Sequence, residues 1–400
     1  MQVPISSSCS NCKLPVEQSN FRDRESRELF LSTGLCQACQ DVQPKQVEVS
    51  VIDVHTHDRI RFKRCRRGWD YTSELRMHLV PVEALSMQQN VWFGSGFHFA
   101  LEDYHGYNHF KDPKRAFMAY VEAHRDDEIP MGGIEMVDLS ERMLGYYINY
   151  WLPRRDTYKT VWIDGVPQVE VQFRIELPVQ SPDGRPVYYV GTFDRLVQDE
   201  NGWYWILDWK TAARFNTSKL SNDPQISAYC WAAELWFGVP IAGMIYAQFV
   251  KSPPEGPKVL KSGELSLDQR QRTSYGHYRD ALKFKFPDGK FPAQYIEFLG
   301  MLADKETPDG DDYIRFDKVE RNKYQKESEY RHILNEASEM LNPDILIYPN
   351  PTRDCAWDCN YLPVCLAEDD GGDPQYLLTH DYKKKGGEPE WRKRIQWPTT

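Results

Sequence analysis

The sequence predicts an α/β fold in which helices flank a mixed sheet with an antiparallel meander at its centre. In "QVEVQFRIEL", residues 168–177, apolar residues recur at every second position, which is typical of a strand with one buried face. Two more strand patterns follow, separated by the turns "SPDGRP" and "DENG". Helical patterns precede and follow these strands. At 400 residues the chain can bury a large core and form more than one domain.

The first 48 residues are predicted to form a separate small module. They contain too few apolar residues for a core of their own, so such a module would need a bound metal. Two C-x2-C pairs supply four thiolates, the ligand set of a structural Zn²⁺ site. These cysteines are Cys9, Cys12, Cys36 and Cys39.

A basic stretch, "RIRFKRCRRGWDY", begins at residue 59. One interpretation is the solvated face of a helix. The other is a patch that contacts nucleic-acid phosphates, because lysine and arginine supply most phosphate contacts. The candidate DNA-binding residues are Arg61, Lys63, Arg64, Arg66 and Arg67.

Two helices are predicted between this stretch and the sheet. Residues 94–105 resemble a glycine-rich turn that enters a helix carrying His98. Residues 139–152 form an amphipathic pattern, with Ser140 as its N-cap and Pro153 just beyond its end.

Acidic residues lie on both arms of the hairpin "GTFDRLVQDENGWYWILDWKT". Asp208 and Lys210 project to one side of their strand, and Asp194 is expected near residue 207 or 208 on the adjacent strand. Two carboxylates so placed can hold Mg²⁺ or Mn²⁺, and a lysine beside them can stabilise charge on a phosphate. A surface salt bridge is the alternative. The strongly apolar flanks disfavour it, because buried charges need partners or a metal.

Helix and strand patterns continue beyond the hairpin. A helix is predicted over residues 224–237, with Asp223 as N-cap and a proline at its first position. Residues 241–250 are predicted to form a further strand, and residues 266–284 and 317–341 to be mostly helical.

Four motifs in order resemble the PD-(D/E)XK nuclease superfamily in its RecB-like branch, which includes CRISPR-associated RecB-like exonucleases and phage relatives. The first is G-x3-H, and the second is G-x2-D, a glycine and an aspartate separated by two residues. A strand ending in D-x-K-T and a helix bearing Q-x3-Y follow. The matching residues are Gly94, His98, Gly191, Asp194, Asp208, Lys210, Thr211, Gln225 and Tyr229. The resemblance covers roughly residues 50–366 and implies a restriction-endonuclease-like core.

The resemblance also implies site roles. His98, Asp194 and Asp208 would hold Mg²⁺ or Mn²⁺, with help from the Trp209 carbonyl, and Lys210 would position the attacking water.

The same resemblance assigns a supporting role to the Q-x3-Y motif. Gln225 and Tyr229 would support the lysine or contact the DNA strand. The activity implied is a metal-dependent deoxyribonuclease, an exonuclease that hydrolyses phosphodiester bonds at single-stranded or duplex DNA ends. It would serve recombination, repair or phage DNA processing, with recombination or replication proteins as partners. Oligomeric state is not predicted.

The remaining cysteines also match the iron–sulfur members of this branch, in which one cysteine precedes the histidine helix and three close the domain. Those positions are Cys65, Cys355, Cys359 and Cys365. The spacing C-x3-C differs from the common family spacing of x2. Four thiolates also suit Zn²⁺, so a second zinc site is the alternative to [4Fe–4S].

These assignments give three regions: a zinc ribbon over 1–48, a nuclease domain with the cluster over 49–366, and a polar tail over 367–400. Cys230 is predicted to be a buried core thiol. No window of 18 apolar residues and no signal-like N-terminus is present, so a cytoplasmic protein that does not enter membranes is expected.

Two other functional classes were considered. The net charge of −10 argues against a protein that coats nucleic acid through bulk charge. "VIDVHTHDR" contains the D-x-H-x-H pattern with which amidohydrolase barrels begin, but the sequence after it lacks repeated βα units. A non-catalytic zinc-ribbon DNA-binding or recombination-accessory protein is the other alternative, and the intact D…D-x-K set argues against it.

Overall fold

The computed structural model describes residues 7–8, 15–16, 51–82, 89–124, 133–307, 309–384, 395 and 397–398. The chain divides into two compact units, Met1–Val51 and Ile52–Thr400. In the first unit, the strands β1 (Ser7–Ser8) and β2 (Pro15–Val16) pair antiparallel. The four cysteines predicted to form a zinc ribbon lie outside the described residues.

A mixed seven-stranded sheet organises the second unit. Its strands are β3 (Ile52–His55), β5 (Lys159–Thr160), β8 (Val169–Leu177), β9 (Val187–Gln198), β10 (Tyr204–Ala212), β11 (Ile241–Val250) and β12 (Ile314–Glu320). The order β12-β11-β10-β9-β3 forms the main path, and β5 and β8 also pair with β9. The predicted antiparallel meander β8-β9-β10 is confirmed, whereas β11 lies parallel to β10.

The remaining strands form two small sheets. One is the hairpin of β6 (Trp162–Ile163) and β7 (Val166–Pro167). The other pairs β4 (Leu79–Pro81) with β13 (Tyr382–Lys384).

Helices cover both faces of the main sheet. Their bounds are α1 (Thr56–Arg64), α2 (Arg66–Thr72), α3 (Gln89–His105), α4 (Pro113–Ala123), α5 (Gly133–Tyr146), α6 (Leu152–Arg155), α7 (Pro224–Phe237), α8 (Tyr275–Lys285), α9 (Ala293–Asp304), α10 (Lys323–Met340), α11 (Cys355–Asp358), α12 (Leu362–Asp369) and α13 (Pro374–His380). One buried cluster joins α3, α4 and α5 to the sheet, and another joins α7 and α10 to it. Cys230 is fully buried in the second cluster, which confirms its prediction as a core thiol.

The predicted turn at Gly94 is wrong, because α3 is helical from residue 89 onward. Glycine serves close packing there instead. A Cβ on Gly96 would lie 2.7 Å from the ring of Tyr120, so the absence of a side chain lets α3 approach α4.

The predicted bounds of the next helix are also wrong. Helix α5 begins at Gly133, and Ser140 lies in its interior, where its hydroxyl donates to the Val137 carbonyl. A π-helical turn over Tyr147–Trp151 continues the helical path, and Pro153 lies in the first turn of α6.

Two further segments differ from expectation. Residues 317–320 belong to β12 rather than to a helix, and α8 begins only at Tyr275. Beyond residue 366, the region predicted as a polar tail contains α13 and β13, and Leu378 and Tyr382 are buried there. Among the described residues, none of the helices has the length and apolar character needed to cross a bilayer.

Candidate active site

Four elements of the second unit bring the predicted catalytic side chains together. His98 lies on α3, Asp194 on β9, and Asp208 and Lys210 on β10, while Glu170 opens β8. The antiparallel register pairs residue 195 with residue 207, so one further step sets Asp194 opposite Asp208. The predicted position of Asp194 near residue 207 or 208 is therefore confirmed.

Three of these side chains form a compact group of potential metal ligands. Donor atoms of His98, Glu170 and Asp194 all lie within 4.8 Å of one another, and no other such group of three occurs among the described residues. His98 Nδ1 is 3.4 Å from a Glu170 oxygen and 3.6 Å from Asp194 Oδ2. Asp194 Oδ2 also accepts a hydrogen bond of 2.7 Å from the Trp209 backbone N–H. Imidazole and carboxylate groups so placed can hold a divalent cation.

Asp208 and Lys210 complete the site as a tight ion pair. Lys210 Nζ donates to Asp208 Oδ1 at 2.8 Å and lies 2.7 Å from Oδ2, yet the buried Oδ2 accepts no hydrogen bond from the described residues. The Asp208 side chain is 4% exposed and that of Lys210 36%. The carboxylate of Asp208 is therefore buried, and the ammonium of Lys210 reaches toward solvent. Both carboxylate oxygens thus lie within 2.8 Å of the ammonium, and the carboxylate still fits a metal ligand because it can accept more contacts than one ammonium supplies.

The protonation states show how the site is balanced without a cation. Burial by itself would lower the pKa of His98, but the charge of Asp194 and the hydrogen bond that His98 donates to Glu170 outweigh it and raise that pKa to about 9. Nε2 lies 2.8 Å from the Trp209 carbonyl oxygen, so both ring nitrogens face acceptors. The imidazolium proton therefore stands in for positive charge, and a cation must displace it.

Glu170 was not identified from the sequence. It lies on the polar face of β8, together with other polar residues that have no role in the site. The alternation of polar and apolar residues therefore does not distinguish Glu170 from them. The register of β8 with β9 pairs residue 169 with 195 and 171 with 193, which places Glu170 beside Asp194. Its φ of +46° is unusual for a residue other than glycine, and such backbone costs about 1–3 kcal/mol. Strain of this kind concentrates at functional sites.

We expect Glu170→Gln to lower the pKa of His98 from about 9 toward its ordinary value, because the lost charge no longer stabilises the imidazolium. NMR titration of the imidazole in metal-free protein measures this directly, and the same variant should bind Mn²⁺ more weakly. Glu176→Gln, on the same polar face of β8 but exposed, is the matched control. An unchanged His98 titration would contradict the assignment of Glu170.

The Q-x3-Y residues lie at the beginning of α7, whose N-cap Asp223 accepts from the Gln225 backbone N–H as predicted. Burial raises the pKa of Tyr229, and the charges of Asp208 and Asp194 raise it further, so its hydroxyl is near the acids and keeps its proton. A Cβ on Gly191 would lie 2.8 Å from the Phe173 ring and 3.3 Å from the Tyr229 hydroxyl. The role of Gln225 stays a prediction.

The four cysteines of the predicted cluster lie in segments that contact each other. Cys65 joins α1 to α2, and its sulfur accepts from the backbone N–H groups of Gly68 and Asn350, both at 3.4 Å. The Thr352 backbone N–H donates to Cys355 Sγ at 3.4 Å.

An arginine reaches the last of the four. Arg67 donates to Cys365 Sγ at 3.2 Å. Burial raises the pKa of Cys365, Arg67 opposes that shift, and nearby Cys65 adds to it. Cysteines 65, 355, 359 and 365 are free thiols, and N–H donors directed at sulfur suit metal-bound thiolates.

The basic stretch is engaged in ion pairs within the chain. Lys63 pairs with Glu336, Arg64 with Asp358, Arg66 with Glu339, and Arg67 with Glu368 and Asp369. Arg61 lies near Tyr361. These acids neutralise charge that a phosphate contact would use, so the DNA-binding role of the stretch stays a prediction.

The D-x-H-x-H alternative finds no support in the described residues. His55 and His57 stack with centroids 4.9 Å apart, and Asp53 pairs with Arg174 instead of joining them. The repeated parallel βα units of a barrel are not seen there, because the sheet is mixed.

Comparison with known proteins agrees with this geometry. No curated protein matches the chain. The family model described as the PD-(D/E)XK nuclease superfamily matches residues 60–366, which include α3, the meander, α7 and the closing cysteines. Members of this superfamily are typically metal-dependent nucleases that act on DNA, and the chain belongs to the PD-(D/E)XK nuclease superfamily.

Proposed function

We propose that this protein is an Mg²⁺- or Mn²⁺-dependent exonuclease of the RecB-like branch that hydrolyses DNA from its ends. The observation that carries the proposal is the grouping of His98, Glu170 and Asp194 next to the Asp208–Lys210 pair. The chain supplies a cation-binding group and a separate ammonium at one place, as phosphodiester hydrolysis requires.

The side chains present fit a divalent cation. His98, Glu170 and Asp194, whose donor atoms lie together, would hold it, and Asp208, which pairs with Lys210, would join them as the resemblance implies. When bound, the cation would polarise the phosphate and lower the pKa of a bound water.

Lys210 acts as a fixed positive charge rather than as a base. Burial would lower its pKa, but Asp208 and Asp194 raise the pKa of Lys210 above its ordinary value, so the amine stays protonated. An ammonium that is partly exposed above a buried carboxylate can donate to a phosphate oxygen or orient a water. Tyr229 likewise keeps its proton, so its hydroxyl can donate a hydrogen bond but cannot act as a base.

Two properties need a test: the direction of cleavage, and whether the enzyme cuts from DNA ends or internally. The substrate is DNA labelled at the 5′ or 3′ end, as single strands, duplexes and closed circles. We expect mononucleotides or short products from linear DNA in Mg²⁺ or Mn²⁺, no cleavage in chelator, and resistant circles. Cleavage of circles would refute exonuclease action but would still show that the protein is a nuclease. Binding without cleavage in any metal would favour the accessory-protein alternative.

We further propose that Cys65, Cys355, Cys359 and Cys365 hold a [4Fe–4S] cluster, with zinc as the alternative. The N–H donors directed at three of these sulfurs support a metal centre of either kind. The resemblance to iron–sulfur nucleases favours the cluster.

The N-terminal module is proposed to bind one Zn²⁺ per chain. Replacing Cys9 and Cys36 by serine should remove that zinc, because each C-x2-C pair loses a thiolate, while DNA cleavage persists. Elemental analysis of the purified full-length variant checks this. A variant that retains its full zinc content would show that the metal is bound elsewhere.

A further inference from the structure

A second cationic group lies at the end of the sheet where β10 and β11 finish, on the face that α3 covers. The strands β10 and β11 run parallel and end at neighbouring positions, Ala212 and Val250. The next residue, Lys251, donates its backbone N–H to the Ala212 carbonyl at 2.8 Å. Ala212 is two residues beyond Lys210, or roughly 7 Å along the strand.

The Lys251 ammonium has neutral partners. Its Nζ donates to Asn90 Oδ1 at 2.7 Å and lies 5.4 Å from the centre of the Phe93 ring. In the part of the chain that the structure describes, no carboxylate pairs with it. Both contacts come from the first turns of α3, the helix that carries His98. Lys251 is therefore held in place without loss of its charge.

This arrangement differs from that of the basic stretch over residues 59–67. There, ion pairs with aspartate and glutamate side chains neutralise the positive charges. At Lys251 an amide oxygen and an aromatic face fix the ammonium without neutralising it. Burial lowers the pKa of Lys251, and no neighbouring charge of the described residues offsets that shift.

The loop that follows β10 adds two cations at the same end of the sheet. The backbone N–H of Asn216 donates at 2.8 Å to the buried Gln248 side chain, and Gln248 is opposite Lys210 in the register of β10 with β11. The loop is thereby fixed beside the site. It carries the exposed Arg214 and Lys219, and neither pairs with a carboxylate of the described residues.

We propose that Lys251 binds a backbone phosphate of the substrate strand farther along the strand than the phosphate that is cleaved, with the 213–219 loop extending this contact. The inference rests on the proposed nuclease function and deepens it. Lys251 is a positioning residue, because it lies beyond the reacting phosphate. Phosphate contacts carry no base information, so the contact should be independent of sequence.

The test compares Lys251→Gln with wild type and with Lys290→Gln, a matched loss of charge at an exposed lysine in the turn between α8 and α9. The probe is a fluorescein-labelled oligothymidine, bound in Ca²⁺ and titrated at several salt concentrations. Lys251→Gln should weaken binding roughly three- to tenfold and reduce the slope of log Kd against log salt by about 0.7. A mixed-sequence strand should lose affinity by the same factor. Lys251→Arg and Lys290→Gln should bind as wild type does.

A second variant tests the charge without removing the lysine. Asn90→Asp places a carboxylate against the ammonium and should weaken binding in the wild-type chain but much less in Lys251→Gln. An unchanged salt slope in Lys251→Gln, together with cleavage by wild type, would overturn this inference and leave the nuclease intact. Failure of wild type both to bind and to cleave would overturn both.

Discussion

Asp208→Ala should abolish DNA cleavage, with a loss of roughly three orders of magnitude or more in rate. The substitution removes a buried carboxylate that pairs with Lys210 and can offer its remaining lone pairs to a cation. Loss of about 4 kcal/mol of charge stabilisation corresponds to a thousandfold. Asp194→Ala and Lys210→Ala should have effects of the same class. The measurement is release of nucleotides from end-labelled DNA in Mg²⁺ and Mn²⁺.

The loss should be catalytic rather than structural. Burial raises the pKa of Asp208, so its ionised form costs folding free energy at neutral pH. Removing that carboxylate is therefore not expected to lower Tm in proportion to the rate. Asp183→Asn, on the exposed turn before β9, is a control for loss of an acidic group. An Asp208→Ala protein that cleaves at the wild-type rate would refute the site.

Replacing Cys65 by serine should remove the second metal centre and destabilise the nuclease unit. The Cys65 sulfur accepts from the backbone N–H of Asn350 and so joins the start of the domain to its closing segment, and a bound metal contributes directly to folding. A loss of several kcal/mol would lower Tm by roughly 10 °C, at about 2–4 °C per kcal/mol for a mid-sized domain. Thermal unfolding and iron and zinc analysis of protein prepared without oxygen measure both effects.

The same preparation distinguishes the two candidate metals. A cluster should give brown protein with absorbance near roughly 400 nm, and serine at Cys355, Cys359 or Cys365 should bleach it. Cys230→Ala should keep both metal and colour, because that thiol is buried in the core away from the proposed centre. Colourless protein with two zinc ions and no iron would refute the cluster.

The sequence predicted the parts of the site that have their own local pattern. Alternation and turn residues predicted the strands that hold Asp194 and Asp208, and the N-cap Asp223 predicted the start of α7. These features depend on neighbouring residues, so a single sequence contains them.

Features that depend on tertiary packing could not be predicted in this way. Glu170 differs from other glutamates of β8 only through a φ of +46° and its register beside Asp194. Gly96 was taken as part of a turn because the approach of Tyr120 is invisible in sequence. The ion pairs of the basic stretch were equally invisible in the sequence, because its acidic partners lie more than 270 residues away, as Arg66 and Glu339 illustrate with a separation of 273.

Those long-range ion pairs have a consequence for synthesis of the protein. Arg59, on the first helix of the unit, is fully buried between Glu329 and Glu336, which lie on α10. A ribosome produces α1 long before α10, and an unpaired arginine is costly to bury, so α1 cannot reach its final position until the chain beyond residue 336 has emerged. Completion of the nuclease unit is therefore delayed until residue 336 has left the ribosome, and a chain truncated before that residue would leave α1 exposed to proteases.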